Sequence, residues 1–305
     1  MSRRAAIAFL TGAGTAPELM AEAVLALDAV GRLHGLHLEE THASFGGVAL
    51  ARAGQTVPAA TRDAILGADA VLVAGAEEPA LAEVMAELDL RAQVTRVRFG
   101  RDSDVAFVTP RTDGAIEWGI ERAFRIAAMR TMRLASVGEE RWHEVVATLA
   151  LDHEHVRVER LSPKVAIPMA AFNASRFDVL AIAPGWAEAI VEIAAAPATA
   201  RVAAHGLLAE HGPSLFVPSP DGGAALAGHG VVNPSSMLLA AAMMLEHGLD
   251  APAAASTLAS AVSAALVDGP QTPDLLRHGL GATTRDFTSR VLAGFQLFQP
   301  WGSAA

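Results

Sequence analysis

The chain has 305 residues, a formal net charge of −10 and a hydrophobic fraction of 52%. This composition excludes a mainly disordered protein, and scattered Lys and Arg residues offer no basic face to nucleic acid. The sequence has no cysteine, and its apolar runs are well short of the roughly 20 residues that a membrane span needs. We therefore expect a cytoplasmic protein that binds neither nucleic acid nor a membrane.

The first predicted elements are a strand, a glycine turn and a helix. Apolar residues 5–10 stop at the turn 11–14, and a helical pattern follows over residues 17–30. Phosphate-binding loops have the same form, but this turn lacks the third glycine of the dinucleotide fingerprint and a following Gly-Lys-Ser/Thr. A structural turn is therefore the favoured interpretation, with a phosphate-binding loop as the alternative.

Strands and helices alternate along the rest of the chain. Further strand patterns occur at residues 70–74, 105–109, 156–160, 179–183 and 215–217. Helical spacing predicts helices over residues 119–134, 231–249 and 251–267, the last two forming an apolar hairpin. Because no Pro/Ser-rich linker divides the chain, we expect two closely joined α/β lobes.

Several separated segments carry one family pattern in a fixed order. They are residues 12–18 (GAGTAPE), 46–47, 54–58, 68–72, 88–92, 177–179, 227–234 (AGHGVVNP) and 272–275. Together they resemble the isocitrate and isopropylmalate (β-decarboxylating) dehydrogenases over nearly the whole chain. The resemblance implies a two-lobed α/β fold with a mixed sheet flanked by helices. Residues 1–99 and 231–305 would form the larger, former cofactor lobe, and residues 100–230 the smaller dimerisation and substrate lobe.

The resemblance also implies an activity and a partner. Such enzymes oxidise a 2-hydroxy acid with NAD or NADP and decarboxylate the product with Mg²⁺ or Mn²⁺. A homodimer is expected from the family and from the apolar helices around Gly119 and after Val231, which a monomer would leave exposed. A small carboxylate ligand or a related catalytic subunit is a further expected partner.

The metal site departs from the family pattern. By resemblance, its three aspartates fall on Lys164, Glu188 and Glu192. A spacing of four places the two glutamates on one helix face, whereas the lysine would repel a cation. Because the family supplies the third aspartate from the second subunit, we expect Lys164 of one copy to reach Glu188 and Glu192 of the other. Three unrelated surface charges are the alternative.

The groups that transfer protons and hold the cofactor are also changed. The chain has no tyrosine, and residues 138–141 replace the family's lysine segment. Pro220 and Ala225 take the positions of the adenine histidine and the ribose aspartate. Asn233 remains, either as a vestigial cofactor residue or as an ordinary turn residue before proline. Histidines are possible substitutes for proton transfer, but no spacing distinguishes among His143, His153, His155 and His205.

Four arginines lie near the expected substrate site, where guanidinium groups would bind carboxylates in pairs of hydrogen bonds. They are Arg91, Arg96, Arg98 and Arg111, for which a surface role is equally compatible. The favoured function is a pseudo-dehydrogenase, without cofactor, that acts as a binding, scaffold or regulatory subunit. One alternative is nicotinamide-independent chemistry on a small carboxylic acid, with Lys164 as base or Schiff-base amine. The other is oxidative decarboxylation by relocated residues, which would require NAD or NADP with Mg²⁺ or Mn²⁺.

Overall fold

The computed structural model describes residues 3–75, 78–99, 103–196, 200–219, 224–276 and 281–295. The strands within these ranges are β1 (Arg3–Thr11), β2 (Leu36–Ser44), β3 (Ala70–Ala74), β4 (Leu90–Phe99), β5 (Ser103–Pro110), β6 (Arg133–Val137), β7 (Arg157–Leu161), β8 (Val179–Ile182), β9 (Ala200–Ala209) and β10 (Ser214–Pro218). The helices are α1 (Ala16–His34), α2 (Gly46–Ala53), α3 (Ala59–Leu66), α4 (Glu78–Glu87), α5 (Ile116–Ala128), α6 (Glu140–Ala150), α7 (Pro163–Asn173), α8 (Ala187–Ala195), α9 (Ser235–Met243), α10 (Pro252–Asp268) and α11 (Thr284–Gly294). A π-helical turn over Met244–Gly248 follows α9.

The first of two compact units takes its residues from Met1–Asp89 and His211–Ala305. Its strands run in the order β2-β1-β3-β10, and each neighbouring pair is parallel. All residues of β3 are buried, as expected for a parallel strand that is covered on both faces. The close approach of two turns explains one of the early glycines: a Cβ on Gly12 would lie 2.6 Å from the carbonyl oxygen of Gly75. This contact supports the structural interpretation of the glycine turn.

The second unit comprises Leu90–Glu210, with strands in the order β9-β4-β5-β8-β6-β7. Strand β4 is antiparallel to β5 and β9, whereas β5, β8, β6 and β7 are mutually parallel. Residues of α7 and α8 cover one face of this mixed sheet around Phe107, Val137 and Leu180. Because these strands are parallel, their carboxyl ends lie at the same end of the sheet, and α8 begins shortly after the carboxyl end of β8.

The divisions between the units fall at residues 89/90 and 210/211. Both lie earlier in the chain than the lobe boundaries predicted after residues 99 and 230. The physical reason is strand pairing, because β4 bonds to β5 and β9 along its length and so belongs to the second unit.

The helix predicted over residues 119–134 is too long at its carboxyl end. Helix α5 ends at Ala128, and residues from Arg133 onward form β6. Met132 adopts a φ of 58°, which a helix cannot accommodate. Asp178 stabilises the intervening turn by accepting hydrogen bonds from Arg130 Nε at 2.6 Å and from the Thr131 backbone N–H at 3.0 Å. A contact distant in sequence therefore ends this helix.

The apolar helices that suggested a dimer are instead buried within the chain. From Met237 to Met243, every side chain of α9 is fully buried in the first unit, and Ile120 and Phe124 of α5 are fully buried in the second. These two helices therefore present no apolar surface that a second copy would need to cover. None of the helices described is both long and apolar enough to cross a bilayer.

Candidate functional site

A cavity of about 560 Å³ lies within the second unit, at the carboxyl ends of β5 and β8. One wall is formed by strand residues, and the other by the start of α8. The polar side chains of the strand wall are Gln93, Thr95, Thr109, Arg111 and His205, and those of the helix wall are Glu188 and Glu192. The cavity therefore has hydrogen-bonding groups and a cation on one side and two carboxylates on the other.

Strand pairing brings the polar groups of the first wall together. Gln93 and Thr95 are two residues apart on β4 and so point to the same face of the sheet. His205 of β9 is directly opposite Thr95, and its Nδ1 lies 3.0 Å from Thr95 Oγ1. Gln93 Nε2 donates to the same hydroxyl at 3.3 Å. These side chains form a hydrogen-bonded row along the cavity wall.

The imidazole of His205 is neutral near pH 7, because burial lowers its pKa below the ordinary value. In the sequence, nothing distinguishes this histidine from His143, His153 and His155. Its pairing with Thr95 would have identified it, but that pairing can be predicted only if β9 is first recognised as a strand beside β4. His205 is thus the candidate histidine that lines this cavity.

Arg111 provides the guanidinium of the strand wall. It directly follows β5, and its backbone N–H donates to the carbonyl oxygen of Arg91 at 2.8 Å. Its side chain is half-buried, and burial lowers the pKa of the guanidinium. The group remains charged near neutral pH because the ordinary pKa of a guanidinium is very high. No carboxylate pairs with Arg111 among the described residues. Its charge is available to a ligand.

Arg96 and Arg98 have a different environment from Arg111. They alternate with Thr95 along β4 and therefore point to the other face of the sheet. Arg96 Nε lies 3.1 Å from Asp104 Oδ2, and an Arg98 terminal nitrogen lies 3.5 Å from the same oxygen. Arg91 Nε lies 3.4 Å from Glu210 Oε2. None of these three arginines lines the cavity.

Asp104 is the centre of a buried ionic network on that other face. Burial alone would raise the pKa of its carboxyl group, but the charge of Arg96 and its hydrogen bond, with the charges of Arg130 and Arg98, lower it to about 2. Arg130 also binds Asp178. The network thus joins β4, β5 and β8 to the turn after α5.

The three predicted former metal positions are not brought together within one copy. Glu188 and Glu192 are exposed on α8, and Lys164 is exposed in the first turn of α7. No three His, Asp or Glu side chains form a metal-binding group in the part of the chain that the structure describes. Two carboxylates from one helix do not complete a divalent site. The contact of Lys164 with the glutamates of a second copy stays a prediction.

The predicted cofactor residues belong to the first unit and are used internally. Asn233 is buried, donates to Thr272 Oγ1 at 2.9 Å and accepts from the Ser235 backbone N–H at 2.8 Å. The Glu18 carboxylate accepts hydrogen bonds from the backbone N–H groups of Gly228 and Gly230, the latter at 2.9 Å. Asn233 and the backbone N–H groups of Gly228 and Gly230 thus each make hydrogen bonds within the first unit. Ala225 is exposed in a short turn, whereas Pro220 lies outside the described residues.

Comparisons of sequence give one consistent family. A family model described as isocitrate/isopropylmalate dehydrogenase matches residues 6–97 and 193–291. The 3-isopropylmalate dehydrogenase of Streptococcus thermophilus is 27% identical over 342 residues, covering 94% of this chain and 98% of that protein. The corresponding enzyme of a Synechococcus species is 29% identical over 337 residues, covering 90% and 94%.

Solved structures show the same fold. A β-decarboxylating dehydrogenase from Thermococcus kodakarensis, in its apo form, superposes with a TM-score of 0.84 at 20% identity and 99% coverage of both chains. The isocitrate dehydrogenase of Methylococcus capsulatus gives a TM-score of 0.79 at 20% identity, covering 95% of this chain and 99% of the other. The predicted fold class is confirmed.

Proposed function

Because the chain belongs to the isocitrate/isopropylmalate dehydrogenase family, we propose that it uses the family fold to bind a small carboxylic acid without nicotinamide-dependent dehydrogenation. Family members use NAD or NADP with Mg²⁺ or Mn²⁺. In this proposal the protein is a pseudo-dehydrogenase that works as a binding or regulatory subunit. The observation that carries it is the composition of the cavity in the second unit.

The strand wall of that cavity suits a carboxylate. The guanidinium of Arg111 can donate two parallel hydrogen bonds to a carboxylate, and such charge-assisted hydrogen bonds are among the strongest in proteins. Thr95, Thr109 and Gln93 add groups that can orient a hydroxyl or a second carboxylate. The chain has no tyrosine, and no lysine lines the cavity. These features support binding more directly than hydride transfer with acid/base catalysis.

The groups expected to hold the family's cofactors support the same proposal. Asn233 and the backbone N–H groups of Gly228 and Gly230 have internal partners. The described residues of one copy supply only Glu188 and Glu192 at the former metal positions of the cavity. We therefore assign no step of a reaction to a metal or a dinucleotide.

Thermal melting with separate ligands tests the proposal. A ligand that binds only the native state raises the melting temperature. We expect a rise with a small hydroxy acid such as isopropylmalate or isocitrate, and none with NAD⁺, NADP⁺, Mg²⁺ or Mn²⁺. Parallel assays with each acid, NAD⁺ and Mg²⁺ should give no NADH. Steady NADH production at catalytic protein concentrations would overturn the proposal.

His205 favours one alternative, namely nicotinamide-independent chemistry in the same cavity. A neutral imidazole beside Thr95 can accept a proton from a bound acid. Lys164 is a weaker candidate for a base or Schiff-base amine, because its side chain is exposed rather than desolvated. Nuclear magnetic resonance of isopropylmalate in deuterated water would distinguish these functions: exchange or conversion that His205→Gln abolishes supports catalysis.

We also propose a homodimer, through a different surface from the helices first suspected. Residues 165, 168, 169 and 172 form one apolar stripe on α7 at helical spacing. Phe172 is 91% exposed and Val165 47% exposed. A second copy of this helix would cover the stripe, and Lys164 at its start would be placed to meet the glutamates of the second copy. Related catalytic subunits remain an alternative partner.

Sedimentation at micromolar concentration tests the homodimer. The wild type should sediment at twice the 31.6 kDa mass of one chain, and Phe172→Glu should give the single chain. Leu151→Glu changes another exposed apolar side chain, outside α7, and serves as the matched control. A wild-type protein that remains a single chain would contradict the proposal.

A further inference from the structure

A second cavity, of about 490 Å³, lies at the amino ends of β6, β7 and β8. Phe177, Asp178 and Val179 line it at the start of β8. Ile182 and Pro184 line the first cavity, of about 560 Å³, at the other end of that strand. The two cavities therefore lie at opposite ends of β8. We propose that the second cavity binds a phosphate-type dianion between Arg133 and Arg157.

The two arginines are held side by side by strand pairing. Arg133 opens β6, Arg157 opens β7, and the two are direct partners in the parallel register. The Arg157 backbone N–H donates to the carbonyl oxygen of Met132 at 2.8 Å, which fixes the starts of both strands. Like charges at directly opposed positions of a sheet repel each other. An anion bound between the guanidiniums would relieve that repulsion.

The described residues place no carboxylate beside either guanidinium. No ion pair to Arg133 or Arg157 occurs among the residues that the structure describes. The Asp178 carboxylate, which also lines the cavity, is occupied by Arg130 and Thr131. Glu159 lies 3.5 Å from Arg176. The carboxylates at this cavity thus have partners, and the paired arginines keep their charge in a chain of net charge −10.

The chemistry of the site favours a compact, doubly charged oxyanion. Two guanidinium forks supply several N–H donors, which match the oxygens of a phosphate group. Apolar residues Leu134, Val158 and Phe177 also line the cavity, while both arginine side chains are exposed to solvent. A phosphate group, free or as part of a small ester, fits both the charge and the volume.

Calorimetric titration of the full chain with inorganic phosphate at pH 8 tests this site. We expect saturable binding at low ionic strength that weakens as salt is added. Arg133→Gln and Arg157→Gln should each weaken the affinity at least tenfold. Arg160→Gln is the matched control, because Arg160 is an exposed residue of the same strand that does not line the cavity. This control should leave the affinity unchanged.

Two further measurements separate the site from a general effect of charge or folding. Glu159→Gln should strengthen phosphate binding, because it removes a negative charge from the lining. Without phosphate, neither arginine variant should melt below the wild-type temperature, because neither loses an ion pair and each removes the repulsion between the two guanidiniums. No saturable binding by the wild type, or an equal loss of affinity in Arg160→Gln, would overturn the proposal.

Discussion

Two sets of arginines in the second unit differ in their neighbours. On one face of the sheet, Arg96, Arg98 and Arg130 surround Asp104. In the cavity, Arg111 has no carboxylate partner within ion-pair distance among the described residues, although Glu188 and Glu192 line the opposite wall. Residue type alone therefore does not identify an arginine that binds a ligand. A guanidinium saturated by buried carboxylates supports the fold, whereas one without such a partner is available to a ligand.

The largest expected effect on the free energy of unfolding comes from removing the charge of Asp104. Asp104→Asn would leave the charges of three arginines without their shared carboxylate. Removal of one member of a buried ion pair typically destabilises a protein by about 3–5 kcal/mol. Denaturant unfolding should show a loss of that size. Glu154→Gln is the control, because this exposed carboxylate has no ion pair among the described residues, and it should change stability by less than about 0.5 kcal/mol.

The pH dependence of stability tests the role of the Asp104 charge independently. The pKa of Asp104 falls from 3.8 to about 2 on folding, so the folded protein favours the charged form. Its contribution of about 2 kcal/mol is fully present above pH 3.8 and is lost as the pH falls toward 2. The stability difference between wild type and Asp104→Asn, measured across this range, should shrink as acid is added. A constant difference would contradict the assignment.

A ligand-binding effect is expected at Arg111, with little effect on folding. Arg111→Gln should weaken the binding of a small hydroxy acid about tenfold, equivalent to about 1.4 kcal/mol, because one charged hydrogen-bonding group is lost. The melting temperature without ligand should stay close to that of the wild type. Arg91→Gln, outside the cavity, should leave the affinity unchanged in calorimetry. Equal losses in both variants would remove the distinction between the two groups.

Substitution of Lys164 is expected to have the smallest effect on the stability of the isolated chain. Its exposed side chain has no ion pair among the described residues, so Lys164→Ala should leave the unfolding of a single chain almost unchanged. If its ammonium meets Glu188 and Glu192 of a second copy, the same substitution should weaken the dimer or permit divalent-metal binding. Sedimentation and calorimetry with Mg²⁺ check these two outcomes. A variant identical to wild type in both would contradict the predicted contact.

Local patterns were sufficient to predict much of the fold. The apolar run of β3 and the first helix carried their own signals, and the family resemblance is confirmed. The end of α5 was not predictable, because Asp178, distant in sequence, stabilises the turn that stops it. The row of Thr95 and His205 was also missed, since it depends on pairing between β4 and β9. Contacts between distant strands therefore determine the parts of the site that sequence patterns do not show.

The most direct test of the account measures carboxylate binding with and without the family's cofactors. Isopropylmalate is titrated into the full chain by calorimetry, first alone and then with saturating NAD⁺ and Mg²⁺. The account predicts saturable binding of the same affinity in both titrations, and a loss of affinity in Arg111→Gln. Binding that appears only when NAD⁺ and Mg²⁺ are present would contradict it.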